Sequence, residues 1–548
     1  MNAKAEVKKP SFDEYGRTAA KRFLKTAIVI DDDIIATAEK APAGRVEAPP
    51  FAAAEEEPAG APGAAEAPAA EAPDPAAASD LPIKPLADAF LDNQIVCGVL
   101  KPMASDKDED VVTRAVKAAE VADIVIVDWY LRKTDDKLAL SILSSILKSD
   151  QSRAGRLRLI LVYTSATPLV ERRKELAARL AAEGIQCKLH EENDALIEAT
   201  NCRIRFVQKR VGKEGSPVES LPEMAVEEFS RLSSGLLSNF ALLGIGALRD
   251  ATHHLLATFD RRLDPAFVGH RMLLPDPGDA HGFAMSLLML QIKGILTWPN
   301  RLGGSLGHDE IEAWFDHRFS GQAVEEDLEK LNVKKVDLRS KVLSGACEDH
   351  KFHPALFVPG GNGDPAVAEQ TASEDFSRLA TFVREFKGFN PLPEKWLPSL
   401  TLGTLVRTVE EKPRYFLCVQ PACDTVRIDE ARYFPFIELA KGKKKGDNIV
   451  VQADGERLLL NVKKEPGARH YEKFAPNPET RSIRAFPRRE AGVIRGYSFS
   501  ASEGRVYEWV GDIDSTKAQR IAVDLASTLA RVGVDDYEWL RRGGSAKS

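Results

Sequence analysis

Over the first 210 residues short, mostly apolar runs alternate with stretches in which apolar residues fall three or four apart. The runs 25–30, 94–100, 122–127, 157–163, 185–189 and 203–207 read as strands. The stretches 85–91, 108–122, 138–147 and 168–183 read as helices; in 108–122, Val111, Val112, Ala115 and Ala119 fall on one face. Short strands that are largely apolar are buried on both faces. Their alternation with helices therefore predicts an α/β domain whose parallel sheet is covered on both sides.

From 217 the period becomes helical, over 223–243, 247–259, 281–296, 309–319 and 377–386. The stretch 285–298, MSLLMLQIKGILTW, is the best candidate for a membrane segment. It is shorter than the roughly 20 residues a span needs and is interrupted by Gln291 and Lys293, so it is expected to be a buried helix. Residues 359–366, PGGNGDPA, are expected to be a loop. Strands return at 404–409, 414–419, 449–452, 457–463, 492–498 and 505–510, and a helix over 514–532 closes the chain. The pattern gives a helical middle domain, 234–395, and a mixed α+β C-terminal domain, 396–548.

One segment breaks the pattern. Residues 41–80 contain 17 Ala and 8 Pro with no apolar period. Such a composition cannot bury enough surface to offset its ordering entropy, so 37–82 is expected to be a flexible, disordered linker. It follows the first strand closely. That makes it an insertion within one domain, made of 1–36 and 83–233, rather than a boundary between two.

The 548 residues carry a net charge of −7, which gives no basic field for nucleic acid. The six cysteines form no closely spaced framework, and the N-terminus lacks the apolar core of a signal peptide; a cytoplasmic protein is expected.

Parallel sheets place ligand chemistry at the carboxyl ends of their strands. Here the first strand ends in Asp31 and Asp32, the 122–127 strand in Asp128, the 157–163 strand in Thr164 and Ser165, and the 203–207 strand is followed by Lys209. Carboxylate oxygens suit Mg²⁺. A carboxylate beside a metal can accept a phosphoryl group, whose oxygens a lysine and a hydroxyl can hold.

The segments AIVIDDD, DIVIVDWYL, ILVYTSA and RFVQKR resemble the four signature segments of the response-regulator receiver domain, over roughly 23–36 and 83–233. That resemblance implies a flavodoxin-like, five-stranded parallel sheet. It implies that Asp128 is the phospho-acceptor, that Asp31, Asp32, Asp128 and the backbone carbonyl of Tyr130 hold Mg²⁺, that Thr164 is the switch hydroxyl, Lys209 the phosphate-binding lysine and Phe206 the switch aromatic. It implies a histidine kinase as partner and autodephosphorylation as the chain's one reaction of its own. Arg210 stands where the family usually has proline after the lysine, which leaves that loop's geometry open. The overall plan of the chain resembles the large receiver proteins found beside histidine kinases in bacterial antiviral defence systems of the Detocs type.

Other groups have plainer readings. Cys347, His350 and His353 lack the second close pair a zinc site needs and read as an exposed turn. Of His253 and His254, one is expected to be buried on its helix. In the 418–427 loop, Cys418 and Cys423 fit neither a redox nor a zinc spacing, and Asp424 with Arg427 reads as an ion pair; a loop that recognises a small ligand or a partner is the alternative. The basic run 440–447 reads as a solvated hairpin tip. No helix-turn-helix, phosphate-binding GxxxxGK[ST] loop, GxSxG or HExxH motif is present, so the output is not expected to bind DNA. Three functions remain open at this point: a phospho-accepting signalling protein with an effector or a second copy of itself as further partner, a scaffold with an inert receiver-like pocket, and an enzyme centred on Cys423 and Asp424.

Overall fold

The computed structural model describes residues 9–35, 81–132, 135–152, 155–210, 214–274, 276–298, 301–345, 347–358, 364–385, 396–442, 448–453, 456–463 and 465–529. The expected linker 37–82 lies outside them except at its last two residues, as does most of the 359–366 loop and of the basic run 440–447. The chain's own contacts divide it into two compact units, Met1–Ala251 with Ile295–His317, and Thr252–Gly294 with Arg318–Ser548.

The first unit opens with helix α1 (Phe12–Phe23), started by a capping box in which Ser11 and Glu14 satisfy each other's backbone N–H groups. Strand β1 (Thr26–Ile30) follows, then a two-residue strand β2 (Ile34–Ile35). Beyond the undescribed insert, β3 (Leu81–Pro82) pairs in parallel with β2, so the two ends of the insert meet. The chain then alternates: α2 (Ile83–Asp92), β4 (Val96–Leu100), α3 (Asp108–Ala119), β5 (Ile124–Val127), α4 (Lys137–Ser152), β6 (Arg158–Thr164) and α5 (Leu169–Ala182). Strands β7 (Cys187–Leu189), β8 (Leu196–Ala199) and β9 (Cys202–Gln208) are followed by α6 (Leu221–Leu232) and α7 (Leu236–Asp250).

The sheet order is β4-β1-β5-β6-β9-β8-β7. The first five strands are parallel, in the flavodoxin-like order, and β8 and β7 extend that sheet antiparallel beyond β9. Successive side chains of a strand point to opposite faces, and both faces here are apolar. Ile28, Ile30, Val125, Val127, Ile160 and Val162 pack with α3, α4 and α5. Ala27, Val29, Ile124, Ile126, Leu159 and Leu161 pack with α1, α2, α6 and α7. The four-residue β8 was not expected: it turns the long segment between 185 and 202 into a hairpin that covers the edge of β9. The single helix expected over 223–243 is two, because the Ser-Ser-Gly stretch at 233–235 favours a turn. Gly246 lets α7 lie against α1, since a Cβ there would meet the Arg22 side chain at 2.7 Å.

Between the receiver-like part and the C-terminal sheet the chain is helical: α8 (Thr252–Thr258), α9 (Asp264–Met272), α10 (Ala280–Thr297), α11 (His308–Arg318), α12 (Gln322–Lys330), α13 (Lys335–Ser344), α14 (Phe352–Ala355) and α15 (Pro365–Leu379). The expectation that 285–298 is buried is corrected. Only Ala280 of α10 is buried, and Met289 and Leu290 are exposed. Apolar composition signalled a covered helix, but most of this helix is exposed among the described residues. Among the described residues no helix is long and apolar enough to cross a membrane.

The C-terminal part of the second unit is a ten-stranded antiparallel sheet. Its strands are β10 (Phe382–Glu385), β11 (Thr404–Thr408), β12 (Tyr415–Cys418), β13 (Arg432–Lys441), β14 (Asn448–Ala453), β15 (Glu456–Val462), β16 (Arg469–Phe474), β17 (Phe486–Glu490), β18 (Val493–Ser500) and β19 (Val506–Ile513), and α16 (Ser515–Leu529) packs its apolar face on one side. The helix expected over 377–386 ends at Leu379. Phe382–Glu385 pair with β19 instead, where a ladder satisfies their backbone better than an exposed helix end. Strands β13 and β14, which flank the basic run in sequence, are not neighbours in the sheet, because β15 lies between them.

Candidate acidic site at the strand ends

The parallel register brings the polar strand ends together. Ile30 is opposite Val127, Val127 opposite Val162, and Thr164 opposite Gln208. The next residue of each strand is fixed by its neighbour: Asp31 N–H donates to Leu100 O at 3.2 Å, Asp128 N–H to Ile30 O at 2.9 Å and Lys209 N–H to Thr164 O at 2.8 Å. Asp31, Asp32, Asp33 and Asp128 each bring a carboxylate oxygen within 4.8 Å of the others. Asp33 was not singled out from the sequence; the third aspartate of the AIVIDDD run was its only signal.

Lys209 lies between the two deepest carboxylates. Its Nζ donates to Asp31 Oδ2 and to Asp128 Oδ2, each at 2.8 Å, and all three residues are buried. Burial pushes the Asp31 carboxyl up to about 6, and the neighbouring Asp128 charge adds to this, against the pull of Lys209. Burial works to lower the Lys209 ammonium, but the charges of Asp128 and Asp31 outweigh it and hold the ammonium above the usual lysine range. Burial, then the Asp33 charge, raises Asp32. Asp32 Oδ1 is buried with no hydrogen-bond partner among the described residues. An orphaned carboxylate oxygen in an all-oxygen cluster suits a hard divalent cation.

The other oxygen of Asp128, Oδ1, accepts the Trp129 N–H at 2.6 Å. Two residues beyond Tyr130, Arg132 ties this loop to the one after β4. Its guanidinium donates to Met103 O at 2.7 Å, to Asp106 O at 2.9 Å and to Asp108 Oδ1 at 3.1 Å. Thr164 is fully buried, and its hydroxyl accepts the Ala166 N–H at 3.1 Å. Phe206 is buried against Trp129, the ring centres 5.8 Å apart. Tyr130 is half-buried.

The remaining candidates disperse. Among the described residues only the four aspartates have metal-holding geometry, so Cys347, His350 and His353 do not form a site. His253 and His254 are both exposed, against the expectation that one is buried, because α8 buries none of its residues. Asp424 and Arg427 do not pair: Arg427 donates to Leu273 O at 3.0 Å, and the Asp424 carbonyl accepts from Arg432 at 3.0 Å. Cys418 is buried in β12, where burial pushes its thiol up to about 12, while Cys423 is exposed. A thiol so far above neutral pH is not a nucleophile there.

Residues 23–214 match the family model of the response receiver domain, and this part of the chain is a receiver domain. Comparison with curated proteins and with solved structures gives no match.

Proposed function

We propose that this is a response-regulator-type signalling protein that accepts a phosphoryl group on Asp128 from a histidine kinase. The observation that carries the reading is the convergence of four aspartates within 4.8 Å, with Lys209 at 2.8 Å from two of them, at the carboxyl ends of the receiver strands. Asp31, Asp32 and Asp128, with the Tyr130 carbonyl, would hold Mg²⁺; when bound, the ion neutralises charge on the phosphoryl oxygens. An Asp128 oxygen attacks phosphorus, the phosphorus–nitrogen bond to the donor histidine breaks, and the imidazole leaves with a proton. Lys209 then exchanges a carboxylate partner for a phosphoryl oxygen, and the Thr164 hydroxyl, at the end of the adjacent strand, donates to another. The non-DNA-binding output and a place in antiviral defence rest on the sequence resemblance.

The test is intact-mass analysis after incubation with acetyl phosphate and Mg²⁺. One phosphate is expected on the wild type, labile to hydroxylamine as an acyl phosphate. None is expected on Asp128→Asn, whose amide is a poor nucleophile. Equal uptake by both proteins, or none by the wild type from any donor, would sink the reading in favour of an inert scaffold.

A further inference from the structure

We propose that Tyr163, Gly215 and Ser216 form a strap that positions Lys209, doing structurally what the missing proline after that lysine would otherwise do; the inference rests on the phospho-accepting reading above. On one flank, the Lys209 backbone is held by β6 through its bond to Thr164 O. On the other flank, β8 covers β9 only as far as Arg205 and Phe206, where Leu196 faces Arg205 and Phe206 N–H donates to Ala195 O at 2.8 Å. Beyond that point the returning chain takes over. Ser216 N–H donates to Gln208 O at 2.9 Å, and Ser216 bridges Lys209 in parallel fashion.

Two features lock this return. The Tyr163 hydroxyl donates to Ser216 O at 2.9 Å, and Tyr163 is 4% exposed, directly before Thr164 in β6. Gly215 has φ +82°, and a Cβ there would lie 2.4 Å from Lys209 O. Only glycine combines that backbone conformation with that approach. The strap therefore presses on the peptide that carries the lysine, from the side opposite Thr164. Lys209 Nζ reaches both Asp31 and Asp128 at 2.8 Å, so a small displacement of its backbone breaks at least one of these contacts.

Full-length Tyr163→Phe and Gly215→Ala test the strap, by two measurements: the rate of phosphate uptake from acetyl phosphate, and Mg²⁺ affinity by calorimetry. A misplacement near 1 Å slows a reaction by as much as ~100-fold, so uptake should fall at least ~10-fold. Mg²⁺ affinity should hold or tighten, because a loosened ammonium competes less for Asp31 and Asp128. General loosening of the fold would lower both. Tyr163→Phe keeps the ring in the core, so it remains informative where Gly215→Ala does not fold. Uptake at the wild-type rate in folded Tyr163→Phe, or a joint fall of uptake and metal affinity, overturns the strap. A wild type that takes no phosphate overturns the phospho-accepting reading itself.

Discussion

Replacing Lys209 by methionine keeps most of the side-chain volume and removes the ammonium between Asp31 and Asp128, which are 1% and 3% exposed. Deleting one partner of a buried ion pair leaves uncompensated charge and costs about 3–5 kcal/mol. For a unit of this size each kcal/mol moves the melting temperature by about 2–4 °C, so the metal-free variant should melt roughly 10 °C below the wild type at pH 7.5. Two rescues distinguish this cause from lost packing. Acidification should narrow the gap, because the raised Asp31 carboxyl rises further without its cation and takes up a proton. Mg²⁺ at a hundred times its dissociation constant adds about 2.7 kcal/mol, and the variant should gain more from it than the wild type, where Lys209 occupies the same carboxylates. Calorimetry with and without Mg²⁺ between pH 5 and 7.5 measures all three. An unshifted melting temperature, or a deficit insensitive to both pH and Mg²⁺, would refute the charge argument.

Arg132→Ala should weaken Mg²⁺ binding about tenfold, the loss that outer-sphere supports of metal sites show, since it frees the loop that carries the Tyr130 carbonyl; calorimetric titration reads it, and an unchanged affinity counts against that carbonyl as a ligand. Glu228→Gln should destabilise the first unit by about 3 kcal/mol, because the fully buried Glu228 binds Arg203 and Arg205 of β9 from α6, with the Glu228–Arg203 contact at 2.6 Å; thermal unfolding reports it. Asp31 gives a pH test. Its folded value of about 6 lies above the unfolded one, so its contribution to stability is fully present below about pH 4 and is lost as pH rises through 6. The melting temperature of metal-free Asp31→Asn should therefore gain on the wild type between pH 4 and 6 and level off above; parallel curves would show that Asp31 titrates normally.

What the sequence revealed depended on range. Asp31, Asp128 and Thr164 were legible because each directly follows an apolar run, and Lys209 because it stands just past the 203–207 strand; the parallel order of the strands fixes where their ends meet. Asp33 needed only the same reasoning carried one residue further. By contrast, β8 is four residues long, in a segment dense with Glu, Asn and Asp, and its pairing with β9 supplies most of its definition. Strands β13, β16 and β17 mix Arg, Lys and Pro with aromatics, and the alternation shows only once one face is known to be buried. The Gly215 approach to Lys209 was invisible for a similar reason. A glycine in a polar loop looks like any other until the peptide it touches is known.

The position of Phe206 constrains how a phosphoryl group could be sensed. The switch roles that the receiver resemblance implies for Thr164 and Phe206 would have both side chains move inward on phosphorylation. Phe206 is only 2% exposed, with its ring already against the fully buried Trp129, so little inward movement remains for it. Its backbone is pinned on both flanks, to Ala195 by its own N–H and to Val162 through the β6 pairing. Lys209, three residues on, is different: its ammonium is shared between two carboxylates, and a phosphoryl group on Asp128 would redraw that sharing. Because Lys209 and Ser216 are bridged, the redistribution would reach the chain that leads into α6, and α6 in turn is tied to β9 by Glu228. On this geometry a signal from a phosphorylated Asp128 would leave through the lysine and its strap rather than through the aromatic ring. A phosphorylated sample in which α6 amides change their hydrogen-exchange protection while Phe206 stays buried would follow that route; exposure of Phe206 with α6 unchanged would contradict it.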